Sequence, residues 1–166
     1  MRAGMIAVKP WRLEPAGRKG ADMSVLYTAE ATASGGREGR VRSTDGALNL
    51  ELSIPKELGG PGGVATNPEQ LFAAGFAACF ENAIRLVARR RRVPIGHASV
   101  TARVGIGPND AGGYQLGVEL HAQLPDLDHD MAHEVVEAAH LVCPFSNAVR
   151  GNVDVMVVVD PAPEVI

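Results

Sequence analysis

The stretch NPEQLFAAGFAACF, residues 67–80, decides the fold of this 166-residue chain. Asn67 can cap a helix with its side-chain oxygen, Pro68 suits the first helical position, where no N–H is needed, and Gln70 stands where a capping box places a polar side chain. These residues predict a helix that begins at Pro68 and runs to about Arg91. Because its first three turns are apolar nearly all round and rich in alanine and glycine, we expect other elements to bury it on every side.

Strands are predicted on both sides of this helix from alternating apolar residues and from turn residues between the runs. Before the helix, strands are predicted at 25–33, 37–43 and 47–53, followed by a glycine-rich loop at 55–66. After the helix, the prediction is strands at 98–106 and 114–124, an amphipathic helix at 128–141, a short helical segment at 144–149 and a last strand at 153–159. This order predicts an α+β fold with antiparallel sheets around a long buried central helix.

Residues 1–22 are interpreted as a flexible N-terminal extension, and 23–166 as one domain. The extension holds scattered prolines, glycines and charges without a sustained periodicity. It also contains Trp11, the only tryptophan of the chain, which could attach the segment to a surface groove.

Charged residues make up 21% of the chain and the formal net charge is -3, so nothing general points to nucleic acid. The local exception is the run 89–92, four arginines at the predicted C-terminus of the helix, where cations are favoured. A patch that binds an anion or nucleic acid is the alternative for this run. No apolar run is expected to reach the ~20 residues of a membrane span, and no signal peptide is evident. We therefore expect a cytoplasmic protein without a membrane partner.

Cys79 and Cys143 are the only cysteines, and a cysteine pair in the cytoplasm is more often redox-active or metal-binding than structural. Two cysteines are too few for a structural zinc site, and the pair His129/His133 lacks a third ligand, so we predict no metal and no cofactor. Each thiol could instead be a small buried hydrophobe. A reactive Cys79 requires a nearby cation, because burial alone raises the pKa of a thiol. We expect such a cation to lower the pKa of Cys79.

Candidates for that cation are the arginines at 37, 40 and 42, which are placed on a predicted strand beside glycines. Glu69 could hold the planar fork of an arginine by bidentate pairing, although an acid at a helix N-terminus has a simpler explanation in the helix dipole. A straight helix separates Glu69 from Cys79 by roughly 15 Å. If both residues serve one site, Arg37 must bridge them, or the helix must break, or Glu69 must come from a second chain. A dimer with its sites at the interface is the simplest of these arrangements.

At these residues the chain resembles the organic hydroperoxide resistance proteins, the Ohr branch of the OsmC/Ohr family. The resemblance spans about residues 24 to 160. Its motifs are GGREGR at 35–40, ELGGPGG at 57–63, TNPEQLFAAG at 66–75, ACF at 78–80 and VCPFSNAVRGN at 142–152. Mild departures are Ala77-Ala78, where a serine often precedes the cysteine, Phe145 in place of tyrosine, and Val149 in place of threonine.

The resemblance implies a cysteine-based peroxidase and an intertwined homodimer with two sites, without metal or haem. By position, Cys79 matches the cysteine that attacks the peroxide and Cys143 the resolving cysteine, which would form an intramolecular disulfide. Arg37 matches the residue that activates the thiolate, and Glu69 the residue that orients this arginine, so the resemblance implies that Arg37 is the chief cause of a lowered pKa at Cys79. The resemblance also implies reduction of the disulfide by a dithiol of the dihydrolipoyl type, on a lipoyl-bearing protein.

Aromatic residues around Cys79 favour bulky organic hydroperoxides, lipid hydroperoxides included, as the substrate. The predicted pocket consists of Phe72, Phe76, Phe80 and Phe145. The alternative is a non-catalytic, redox-responsive or ligand-binding dimer on the same fold. The presence of all four predicted catalytic residues favours the enzyme.

Overall fold

A computed structural model describes residues 25–161, so the predicted extension 1–22, with Trp11, lies outside the described residues. The described part is α+β, as predicted, with two small sheets and a long helix. Strands β1–β3 are Ala31–Ser34, Arg40–Ser43 and Asn49–Glu51, and strands β4–β6 are Ser99–Pro108, Tyr114–Gln123 and Asp154–Asp160. The helices are α1, Pro68–Arg91, α2, His129–Val142, and α3, Pro144–Val149.

The first sheet is antiparallel, in the order β1-β2-β3, and its strands are shorter than predicted. Residues 25–30 have no regular structure, and the second strand begins at Arg40 instead of Arg37. Arg37 lies in a 3-10 turn, Gly36–Glu38, that follows Gly35 at φ 78°. The prediction that Arg37 lies on a strand is wrong, because the chain doubles back so tightly here that a Cβ on Gly39 would stand 1.8 Å from the Ser34 carbonyl oxygen.

Helix α1 begins as predicted. The Asn67 side-chain oxygen accepts a hydrogen bond from the Gln70 amide at 2.8 Å, and Pro68 is the first helical residue. The helix continues without interruption to Arg91. Arg92 then adopts a left-handed conformation at φ 58°, and the Val93 amide donates to the Ala88 carbonyl, which together close the helix as a Schellman motif.

In the second sheet β4 and β5 form an antiparallel hairpin, paired from Ser99 with Gln123 to Pro108 with Tyr114. The last strand, β6, joins β5 in parallel, since the chain returns through α2 and α3 to the starting end of β5. Such a return requires a crossover connection, which the two helices provide. This sheet is therefore mixed, although the other pairings are antiparallel as predicted.

The core lies where the C-terminal half of α1 packs against the second sheet and α2. It includes Phe80, Ile84, Leu120 and Val135, all fully buried. The N-terminal half of α1 is different, because Ala74 and Ala78 are exposed in the single chain. The expectation that other elements bury the first three turns on every side is therefore not met in the single chain.

Helix α1 is also long and apolar enough, by length and composition, to cross a membrane, contrary to the sequence-based expectation. Its uninterrupted apolar run is short, but the polar residues that interrupt it are too few to bring its mean hydropathy below that of a membrane span. Its packing against β4 and α2 is that of a core helix.

Candidate functional site

The two thiols meet between α1 and α2. Cys79 is in the third turn of α1, and Cys143 follows α2 with an extended backbone, φ -68° and ψ 122°, as expected for a residue before proline. The two Sγ atoms are 3.6 Å apart, and both cysteines are free thiols. A disulfide bond is about 2.0 Å long, so a movement of about 1.6 Å would close it.

The two thiols differ in access to solvent. Cys143 is 0% exposed, whereas Cys79 is partly exposed. A reagent from solution therefore reaches Cys79 first, and Cys143 can react only with a neighbour. This is the order of events that an attacking and a resolving thiol require.

Burial raises the pKa of the Cys79 thiol above its ordinary value, and the main-chain amide of Phe145 opposes this shift. Arg37 of the same chain is not among the groups that act on this thiol. The lowered pKa that we expect for Cys79 is therefore not present within a single chain. An isolated thiol in an apolar helix is a weak nucleophile.

Arg37 and Glu69 form the bidentate pair that the sequence suggested. Arg37 Nη1 donates to Glu69 Oε2 at 2.9 Å and Nη2 donates to Oε1 at 2.6 Å. The pair raises the pKa of Arg37 and lowers that of Glu69, chiefly through these hydrogen bonds. Arg40 is bound elsewhere, to Asn49 and Glu51 on the neighbouring strand. Arg37 is thus the arginine that Glu69 orients.

This pair lies far from the thiol of its own chain. Glu69 and Cys79 belong to one uninterrupted helix, which separates their Cα atoms by about 15 Å at ~1.5 Å per residue. Both terminal nitrogens of Arg37 are held at Glu69, so this guanidinium does not bridge the two positions. Two of the three arrangements considered from the sequence are therefore absent in the single chain.

The aromatic residues of the predicted pocket divide into two groups. Phe72 is half-buried and Phe145 is 36% exposed, so both present ring surface near the thiols. Phe76 and Phe80 are fully buried, and the ring of Phe76 packs against the rings of both Phe72 and Phe145. The rings of Phe72, Phe76 and Phe145 form a cluster, with centroids 5.7–6.3 Å apart.

Sequence reasoning assigned no role to three residues around this cluster. Gly75 touches the ring of Phe145, and a glycine inside a helix was a signal that could have identified it. His140 Nδ1 and Ser146 Oγ are buried without a partner among the described residues, one turn before and after Cys143. Burial lowers the pKa of His140 and favours its neutral form. Nothing in the sequence distinguished these two.

A groove of about 460 Å³ opens beside Glu69, between the start of α1 and the inward face of β4. Its walls include Leu58 and Ala73, and its floor includes Val104. Across residues 25–161 no cluster of three or more His, Cys, Asp or Glu side chains could hold a metal ion. The chemistry that the site itself offers is that of the two thiols.

The chain is similar to known proteins. A family model described as OsmC-like protein matches residues 60–158. The organic hydroperoxide resistance protein of Xanthomonas axonopodis pv. citri is 54% identical over 132 residues, covering 79% of this chain and 92% of that protein. Protein OhrB of Bacillus subtilis, of the same description, is 44% identical over 131 residues, 78% of this chain and 95% of its own. The crystal structure of an organic hydroperoxide resistance protein from Legionella pneumophila superposes with a TM-score of 0.80 at 52% identity, covering 82% of this chain and 99% of that chain.

Proposed function

The chain belongs to the OsmC family, and on that premise we propose that it is a cysteine-based peroxidase that reduces organic hydroperoxides, lipid hydroperoxides included, to alcohols. The observation that carries the proposal is the pair of thiols 3.6 Å apart, of which only Cys79 is accessible. The names of the Xanthomonas and Bacillus relatives support the class of substrate.

In the first step the Cys79 thiolate attacks the outer oxygen of the hydroperoxide. A sulfur–oxygen bond forms as the O–O bond breaks, Cys79 is oxidised to a sulfenic acid, and the leaving alkoxide takes a proton to become the alcohol. The exposed ring surfaces of Phe72 and Phe145 favour a bulky apolar organic group on the substrate.

In the second step Cys143 resolves the sulfenic acid. Its sulfur attacks Cys79 Sγ, the sulfur–sulfur bond forms as the sulfur–oxygen bond breaks, and the hydroxide leaves with the thiol proton as water. Burial keeps Cys143 from reacting with peroxide itself. A dithiol such as a dihydrolipoyl group on a partner protein then reduces the disulfide by exchange and is itself oxidised. We place this cycle in the cytoplasm, where dithiol reductants keep thiols reduced.

The active protein is a homodimer in which each site combines Cys79 of one chain with Arg37 and Glu69 of the other. Three observations support this assembly. Glu69 and Cys79 of one chain are separated by about 15 Å along α1, burial raises the pKa of that thiol in the single chain, and Ala74 and Ala78 in the apolar N-terminal half of α1 are exposed. In an isologous dimer each chain would cover the N-terminal half of α1 of the other chain, and two equivalent sites would form.

The raised pKa also favours a second candidate, a non-catalytic dimer that responds to redox conditions through the same thiols. The two candidates differ in rate and turnover. An enzyme oxidises rapidly with an organic hydroperoxide and turns over with a dithiol, whereas a sensor reacts once and slowly.

Stopped-flow oxidation of the reduced dimer by a lipid hydroperoxide and by hydrogen peroxide tests the proposal. We expect fast oxidation that prefers the lipid hydroperoxide, and one intramolecular disulfide by mass spectrometry. Cys143→Ser should react once and then stall or overoxidise at Cys79, while Cys79→Ser should not react. Slow oxidation by both peroxides would reject the enzyme, and disulfides only between chains would reject the proposed resolving step.

A further inference from the structure

We propose that Gly75 is a positioning residue for disulfide closure: by lacking a side chain it lets the ring of Phe145 rest on α1, which holds the Cys143 thiol within reach of Cys79. This inference deepens the proposed function, from which it takes the sulfenic acid on Cys79. It concerns the step in which Cys143 displaces hydroxide, and not the first attack on the peroxide.

Gly75 is out of place by local preference. It is the one glycine of α1, one turn before Cys79, and alanines occupy positions 73, 74, 77 and 78 around it. Alanine forms helix better than glycine, which loses more backbone freedom on folding. A glycine here therefore needs a reason outside the helix, and the structure offers one contact.

That contact is the ring of Phe145. A Cβ built on Gly75 would stand 3.2 Å from Cε2 and 3.4 Å from Cζ of this ring, closer than ordinary van der Waals contact. The rings of Phe72 and Phe76 also pack against Phe145, at centroid distances of 6.3 and 5.7 Å. Phe145 is exposed only on its remaining side, so an added methyl group would push the ring outward, away from α1.

A shift of Phe145 would be transmitted to Cys143. Only Pro144 separates the two residues, and its ring fixes one backbone angle of the connection. The turn is closed further by the Asn147 amide, which donates to the Cys143 carbonyl at 3.0 Å. Since the two sulfur atoms are already 3.6 Å apart, any outward movement lengthens the path that closure must cover.

The test is Gly75→Ala, with Gly105→Ala as the matched control, because a Cβ at Gly105 meets nothing within 4 Å. We expect Gly75→Ala to slow closure about tenfold, since a misplacement of 1 Å can cost about 10²-fold in rate, and to slow the first oxidation of Cys79 by a smaller factor. Overoxidised Cys79 should increase accordingly in mass spectra. The midpoint of thermal unfolding should not fall, because alanine favours the helix. Slower closure without a loss of stability would therefore show that Gly75 positions the thiols and does not act through the stability of the fold.

Closure is also measured without peroxide, by loading Cys79 with thionitrobenzoate and following release of the coloured thiol as Cys143 displaces it. If the wild type forms the disulfide by this route but is not oxidised by hydroperoxide, the proposed function is rejected. The role of Gly75 in closure is then still tested by comparing the release rates of wild type and Gly75→Ala. Equal release rates in wild type and Gly75→Ala would overturn the inference.

The route through Phe145 is tested in the Phe145→Leu background, where the shorter side chain leaves room for the methyl group. We expect Gly75→Ala to have little effect on the rate of closure in that background. A double-mutant cycle measures this coupling between Gly75 and Phe145 directly. An undiminished effect would show that Gly75 acts by another route. If Gly75→Ala does not fold, Phe145→Trp crowds the same contact from the other side and should slow closure with Gly75 retained.

Discussion

Arg37 and Glu69 bind each other through two hydrogen bonds at the start of α1, while Cys79 of the same chain lies about 15 Å further along that helix. The three residues assigned to peroxide reduction are therefore split between two places on one chain. Because the pair is intact within the chain, a partner subunit would deliver Arg37 and Glu69 together.

Mixing variant chains tests this shared site. In a heterodimer of Glu69→Ala and Cys79→Ser, one of the two composite sites is wild type at both positions, so about half of the wild-type activity should return although neither parent is active. Arg37→Ala mixed with Cys79→Ser should recover equally. The control is Arg37→Ala mixed with Glu69→Ala, which should recover nothing, because each site then receives a defective pair. Recovery in none of the mixtures would place the pair and the thiol of each site on one chain, and recovery in the control would show that Arg37 and Glu69 of one site come from different chains.

Arg37→Ala should move the pH profile of Cys79 oxidation to higher pH. Burial alone raises the pKa of this thiol, and a guanidinium from the second chain should lower it. Loss of an adjacent opposite charge typically shifts a pKa by about 1–3 units, so we expect oxidation at neutral pH to slow about 10- to 10³-fold and to recover as the pH rises. Stopped-flow rates against pH measure this. Arg40→Ala is the control, since Arg40 is bound to Asn49 and Glu51, and an equal shift in that variant would contradict the assignment to Arg37.

His121 should stabilise the fold more at acidic than at alkaline pH. Its ring nitrogens lie 3.0 Å from Asp160 and 3.4 Å from Glu119, and these hydrogen bonds raise its pKa, against a smaller opposing effect of Arg103. A raised folded pKa gives stability that is complete below the unfolded value of about 6.5 and is lost as the pH rises through the folded value.

Urea unfolding of wild type and His121→Gln checks this at about pH 5.5 and about pH 9, on either side of the ordinary histidine pKa. The variant should lose more stability at the lower pH. Asp160→Asn should reduce the pH dependence of the wild type and lower the pKa of His121 in an NMR titration. If His121→Gln loses the same stability at both pH values, the ion pair of His121 with Asp160 does not contribute to stability.

Arg92→Gly should stabilise the protein. Arg92 is the only non-glycine residue with positive φ among residues 25–161. The left-handed conformation costs an L-residue about 1–2 kcal/mol, and glycine loses about 0.5–1 kcal/mol through its greater freedom when unfolded, which leaves a gain of about 0.5–1 kcal/mol. Arg90→Gly, inside the last turn of α1, should instead cost about 0.5–1 kcal/mol. Denaturant melts of the two variants should therefore move in opposite directions.

The parts of the fold that local rules control were predictable from the sequence. Asn67 and Pro68 fixed the start of α1, and the β4–β5 hairpin followed from its turn residues. The parallel pairing of β6 was not predictable, because it depends on where α2 and α3 return the chain. Gly35 and Gly39 carried the signal for the turn at Arg37, but their role appears only when the close approach of Ser34 is known.

Of the candidate site, the residue types could be predicted and the distances could not. The bidentate Arg37–Glu69 pair agrees with the expectation, and helical spacing already separated Glu69 from Cys79. The raised pKa of Cys79 was missed because it reflects burial and the absence of a cation in the single chain. Only coordinates reveal that balance.

The raised pKa of Cys79 in the single chain has a consequence for a newly synthesised chain. If the activating arginine arrives with a partner, a folded chain that has not yet assembled holds this sulfur protonated and slow to react. Dilution would lower the reactivity of Cys79 for the same reason, because fewer chains would then be assembled into dimers. Assembly would then control the reactivity of Cys79, because its thiol would be activated only where the resolving cysteine, the activating arginine and a second copy of the chain are all in place.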